Sequence, residues 1–237
     1  TRPFIPILAA LHATEDWGHL RSTLLRTSRY QTWVILSVGL PALIFGREFM
    51  VLYVGEQYAT AGAVMSLLLL VPALGALNCL GPAALAAAGE VRPLAIRVLL
   101  ARAGSLLLSV VFVVYLHGGA LGSAAATALA AVTLDTTLIW PLAWRATHIT
   151  IRSWLREVLL PTTLPAVPSL VLCLVVHHFI GIATWFELLA WSASSATLFA
   201  ALVLAFALRS EDRRDLVLAL QRVIPWATAQ VRGPRPR

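Results

Sequence analysis

The sequence predicts an all-α protein, a polytopic transmembrane bundle of about six spanning helices, and three observations carry that prediction. Hydrophobic residues make up 59% of the 237 residues and charged residues only 12%, against about 25% charged in an ordinary soluble chain. A soluble core of this size cannot bury that much apolar surface, so lipid must take the remainder. The charges are also clustered. No Asp, Glu, Lys or Arg lies between Leu67 and Gly89, or between Ala103 and Leu134, and helices of that length cross the ~30 Å hydrocarbon layer. Third, arginine-rich and arginine-free connections alternate along the chain.

The first apolar stretch, Pro3–Leu11, is too short to span, and the chain opens Thr1-Arg2-Pro3 with no signal-peptide pattern behind it. It reads as the tail of a helix whose beginning is missing, hence as the C-terminal part of a longer protein. Residues 1–29 then hold the end of a truncated span and a cytoplasmic loop. Six spans are expected across residues 30–208: Tyr30–Tyr53, Tyr58–Leu80, Leu94–Leu116, Leu121–Trp144, Leu155–Ile180 and Trp185–Leu208. Arg47 and Glu48 interrupt the first near its end. A soluble helix rarely runs this long without a polar face. Beyond them, Ser210 can cap a helix with Glu211 and Asp212 in its first turn. Leu216, Val217, Leu220, Val223 and Ile224 then recur opposite Arg213, Arg214 and Arg222. Residues 209–237 are therefore expected to form an amphipathic surface helix and a disordered basic end, Arg232–Arg237.

Loop charge sets the expected orientation, because arginine stays on the cytoplasmic side. Arg21, Arg26 and Arg29 mark the first connection, Arg92, Arg97 and Arg102 the third, Arg145, Arg152 and Arg156 the fifth, and seven arginines follow from Arg209 onward. The intervening turns Val54–Gln57, His117–Ala120 and Gly181–Thr184 hold none. Both ends of the chain are then cytoplasmic. The net charge of +7 is carried by arginine alone, a bias typical of high-GC bacterial coding sequences. Its arginines sit beside apolar spans, so the partner is the anionic lipid of the membrane face rather than nucleic acid.

Asp135 is the clearest ionisable group at membrane depth, where such groups are costly and mark function. It lies ~13 Å inside the Trp144 end of its span, and Arg102 ~12 Å inside the Leu94 end of the preceding one, at 1.5 Å rise per residue. A turn through Gly118-Gly119 makes these helices antiparallel neighbours, so equal depth predicts an Arg102–Asp135 ion pair. Ser105 and Ser109 share a face with Arg102, and Thr127 and Ala131 one with Asp135; small faces let helices approach closely or line a wet cavity. The pair then either stabilises the bundle or supplies a cavity charge that meets or gates an anionic substrate. Arg97, on another face and only ~5 Å deep, snorkels to the headgroups or joins that cavity. Asn78 lines a cavity or bonds a neighbouring helix. Arg47 and Glu48 read as a local pair. His177 and His178 are adjacent and point apart, so no metal site is expected. Cys79 and Cys173 fall inside apolar spans and read as small apolar filler rather than a disulfide. Pro41, Pro72, Pro82, Pro141, Pro161, Pro165 and Pro168 free backbone carbonyls and bend helices, as in transporters that rock or hinge. No nucleotide loop, HExxH, GxSxG or spaced Cys/His set occurs, so neither catalytic residues nor a cofactor are expected.

Several short motifs resemble one family. Gly55-Glu56-Gln57-Tyr58-Ala59-Thr60-Ala61, after a span with Pro41, is similar to the G-x-x-Tyr/Phe-x-x-Ala connection of bacterial Wzx-type polysaccharide flippases, within the multidrug/oligosaccharidyl-lipid/polysaccharide exporter superfamily. The turn Gly118-Gly119-Ala120-Leu121-Gly122-Ser123-Ala124-Ala125-Ala126-Thr127 resembles their glycine-then-small-residue turn. Pro72 with Ala88-Gly89-Glu90-Val91-Arg92, and Pro6 with the acidic patch and Leu20-Arg21, match in order and spacing. The resemblance implies most of the second lobe of a two-lobed flippase in the bacterial inner membrane, with an N-terminal lobe missing. It implies undecaprenyl-pyrophosphate-linked oligosaccharide as substrate, moved by alternating access, and envelope glycan assembly proteins as partners. Arg102, Arg97, Asp135, Asn78 and Ser105 are then candidates for the cavity or its gate, with H⁺ or Na⁺ as a possible coupling ion. An ion-coupled drug exporter or a lipid II flippase of the same superfamily, and a non-transporting scaffold for envelope enzymes, are the alternatives. Short outer loops disfavour a glycosyltransferase.

Overall fold

Capping chemistry sets where several helices begin. The Asp16 carboxylate accepts the His19 amide at 3.0 Å, and Thr150 accepts the amide of Ser153. Thr184 and Glu187 form a reciprocal capping box. The computed structural model of the chain describes residues 5–208, and these form nine helices and no strand. They are α1 (Ile5–Ala13), α2 (Trp17–Ile44), α3 (Gly46–Val54), α4 (Glu56–Ala76), α5 (Gly81–Ala87), α6 (Val91–Tyr115), α7 (Gly119–Ala146), α8 (Ile151–Ile180) and α9 (Trp185–Ala207). Helices α4 and α6–α9 are each long and apolar enough to cross a membrane, and α2 and α3, bent by 68° at their junction, meet the same test only together, which makes five spans or up to six. This is a multi-pass all-α membrane bundle, as the composition requires. Leu99, Leu106, Phe179, Phe186 and Phe206 each expose more than half of their surface, which suits a lipid-facing wall and would be intolerable in water. The expected tail helix and basic end lie outside the described residues.

Helix α2 is the hub. It packs against α4 on one side and against the α8–α9 hairpin on the other. Helix α4 in turn contacts α7, and α7 pairs with α6 through the turn at Gly118-Gly119. Gly119 has φ +53°, a left-handed conformation that suits glycine. A Cβ on Gly122 would lie 2.9 Å from the Phe112 carbonyl oxygen, so only glycine lets α7 cross α6 this closely.

Two elements depart from expectation. Residues 17–29, expected as part of a loop, continue α2 as helix. No proline interrupts them after the Asp16 cap, and Leu20, Leu24 and Leu25 are almost fully buried. Leu20 and Leu24 join Leu8 of α1 and Ala83 and Ala84 of α5 in one apolar cluster, so tertiary packing rather than lipid holds this turn of the chain. The second departure is a set of π-helical turns, with hydrogen bonds closing over five residues: Trp140 to Asp135, Leu116 to Val111 and Gly181 to Val176. Wide turns of this type are rare and gather at functional sites.

Candidate functional site

Helices α6 and α7 run antiparallel, and the depth match places their charges together. Arg102 Nη2 lies 3.3 Å from Asp135 Oδ2. The contact forms because small residues line the crossing: Ala101 is fully buried, and a Cβ on Gly104 would fall 2.7 Å from Leu134 Cδ1. Asp135 sits within the π-helical stretch Ala131–Ile139. A widened turn projects its side chains differently from a regular helix, and the hydroxyls of Thr133, Thr136 and Thr137 bond back to carbonyls of their own helix.

The pair is asymmetric. Asp135 is mostly covered, with 21% of its side chain exposed, whereas Arg102 keeps 57%. Asp135 Oδ1 is buried with no hydrogen-bond partner among the described residues. A guanidinium carries five donors, and the one contact to Asp135 leaves Arg102 able to grip a further anionic oxygen in low-dielectric surroundings. Arg97 reaches across to α7. Its Nη1 donates to the Leu138 carbonyl at 2.9 Å, so Arg97 and Arg102 of α6 hold the same widened stretch of α7. Ser105 lies one turn beyond Arg102 and is half-buried.

Asn78 belongs to a different lining. It faces a small cavity with Ser28, Trp144, Thr147 and Trp154, beside a cluster in which the rings of Trp140, Trp144 and Trp154 meet at tilted angles. The structure therefore brings Arg97, Arg102 and Asp135 together, with Ser105 nearby, and leaves Asn78 apart. Two larger cavities lie elsewhere. One, of about 520 Å³, is apolar and sits inside the α2–α3 bend against α4 and α9, between Phe45, Phe49, Met65 and Leu189. The other, of about 440 Å³, is polar and lined by Arg47, Glu48, Glu56 and His177 at the face opposite the arginine-rich connections.

Two charged contacts escape a reading of the chain. Arg47 and Glu48 do not pair locally: Arg47 reaches Glu56 at 3.8 Å, and Glu48 meets His177 Nδ1 at 2.8 Å. Neighbours in a helix point about 100° apart, so each turns to a different partner. Arg29 is 3% exposed, donates to the Glu157 carbonyl at 3.2 Å and stands over the rings of Tyr30 and Trp33. The Tyr30 and Trp33 neighbours were the only sequence signal for it, since a buried arginine favours aromatic faces. Compared with protein-family models, curated proteins and solved structures, the chain finds no match in any of the three.

Proposed function

We propose that this chain is part of a flippase that moves oligosaccharide carried on undecaprenyl pyrophosphate from the cytoplasmic to the outer leaflet of the bacterial inner membrane. The observation that carries the reading is the Arg102–Asp135 pair, in which more than half of the Arg102 side chain stays exposed. A pyrophosphate headgroup entering the bilayer needs a cation already held there, and Asp135 makes that cation tolerable when no substrate is bound. Arg97 braces the same stretch of α7. The bent α2–α3 pair and the proline-bearing α8 suit helices that rock during alternating access, and the short-motif resemblance points the same way.

The test is a leaflet-exchange assay with fluorescent undecaprenyl-pyrophosphate oligosaccharide in proteoliposomes. It is run with this chain reconstituted in sealed vesicles. Arg102→Ala is expected to lower flipping at least ten-fold, and Arg102→Lys to retain part of it. Flipping at wild-type rate in a well-folded Arg102→Ala protein would remove the pyrophosphate role.

One observation favours a second reading, an ion-coupled exporter. The partnerless, buried Oδ1 of Asp135 is where a coupling proton would sit. Asp135→Asn distinguishes the two: it spares lipid flipping if Asp135 only positions Arg102, and abolishes ion-driven export if the carboxylate carries the proton.

A further inference from the structure

Helix α3 is short, and one polar contact ties it to the end of α8. Glu48 lies on the α3 face that looks into the 440 Å³ cavity, opposite the end of α8 and the Gly181–Ala183 loop. Only 12% of its side chain is exposed. Oε1 is 2.8 Å from His177 Nδ1, and Oε2 is buried with no hydrogen-bond partner among the described residues. A carboxylate so covered, with one oxygen unpaired, is costly unless its single partner is a good one.

The surrounding charges do not supply another. Arg47 of α3 turns to Glu56, and both are largely exposed. His178 of α8 packs against Phe179 instead. Glu187 of α9 is occupied by the Ala183 and Thr184 amides. Helix α4 meets α3 through Gly62 and Ser66, which carry no charge. Glu48 and His177 thus depend on each other.

We propose that Glu48 and His177 form a proton-binding site that latches α3 to the end of α8 and so governs access to the rim cavity. An imidazole is the side chain whose charge ordinarily changes between about pH 5 and 8. With a proton bound, the contact is an imidazolium–carboxylate hydrogen bond, the strong kind. With the proton released to solvent, a neutral imidazole faces a carboxylate whose second oxygen is already unsatisfied, and the latch loosens. Nothing in this inference requires that the chain transports anything.

Solvent access to the cavity is the readout. Val51 lines it and is half-buried, and Val51→Cys in a Cys79→Ala, Cys173→Ala background, held in nanodiscs, reports its opening by maleimide labelling. An exposed reference, Ala120→Cys in the same background, corrects for the pH dependence of thiolate reactivity. The corrected rate is expected to rise at least three-fold from pH 5 to pH 8. In Glu48→Gln and in His177→Asn it is expected to be flat and high. A flat profile in the parent overturns the latch, whatever the variants do. A pH-dependent rise that survives in whichever variant folds overturns it as well.

Discussion

At the residue scale the most instructive contacts are those that answer prolines. The four-residue helical partner of the Glu157 carbonyl is Pro161 and that of the Pro161 carbonyl is Pro165, and neither has an N–H to give. Arg29 donates to the first carbonyl at 3.2 Å, and Trp33 Nε1 to the second at 3.2 Å. Donors one turn apart on α2 thus serve carbonyls one turn apart on α8, which is how a membrane protein tolerates broken helices. Trp33→Phe removes one donor and leaves a carbonyl unpaired, at a cost of about 1–3 kcal/mol. In a Pro165→Ala background the helix supplies its own N–H, so the same change is expected to cost about half as much or less. Thermal unfolding of the four variants in detergent measures the coupling, and equal costs in both backgrounds would sink the claim. The prolines were legible in the sequence as breakers. The donors were not, because nothing in a linear pattern says which face of α2 opposes α8. Arg102 and Asp135 were legible for the converse reason: a two-glycine turn fixes α6 and α7 as neighbours, and depth alone then matches them. A double-mutant cycle with Arg102→Ala and Asp135→Ala is expected to give about 0.6 kcal/mol and not above about 1.7 kcal/mol, the range found for polar contacts between membrane helices, since the arginine is half open.

At the element scale the break between α2 and α3 is the feature that needs a cause. Pro41 precedes it, yet the chain turns at Phe45, where φ is −90° and ψ 16°, so proline alone does not place the bend. Contact with α4 does. A Cβ on Gly62 would lie 2.4 Å from Arg47 Cα and 2.5 Å from the Gly46 carbonyl oxygen, and Ser66 Oγ donates to the Leu43 carbonyl at 2.6 Å. Backbone packs on backbone, and the hydroxyl captures a carbonyl at the break. Gly62→Ala is expected to destabilise the bundle by about 1–3 kcal/mol through overpacking, near the upper end because the obstacle is main chain. Pro41→Ala is expected to leave the bend in place, which the distance between spin labels on α2 and α3 would report; a straightened span would return the cause to Pro41. Helix positions followed from hydropathy to within a few residues for most spans, because a long apolar run has one stable form in lipid. Residues 17–29 did not, since Leu20 and Leu24 bury against α1 and α5 and Leu25 against α6–α8 rather than against lipid, and hydropathy does not distinguish the two.

At the scale of the whole molecule, alternating arginine fixes which turns share a side, and the fold gives that pattern a physical basis. The turns at Gly118-Gly119 and Gly181–Thr184 and the junction of α3 with α4 all lie at one end of the spanning helices. The α5–α6 and α7–α8 connections lie at the other, with Arg92, Arg145 and Arg152. Arginine is hard to pull across a bilayer, so the charge-rich end is the one expected to stay in the cytoplasm. Single cysteines at Ala120 and Ala183, in a background lacking Cys79 and Cys173, are therefore expected to react with a membrane-impermeant maleimide added outside intact cells. A cysteine at Glu90 is expected to react only after the membrane is opened. Each helix crossing reverses the side, so Glu90 against Ala120 tests whether α6 spans, and Ala120 against Ala183 tests α7 and α8 as a pair. If Ala120→Cys and Glu90→Cys reported the same compartment, α6 would not span, the depth argument that pairs Arg102 with Asp135 would lose its meaning, and a cation held at mid-membrane for a pyrophosphate would have no membrane around it.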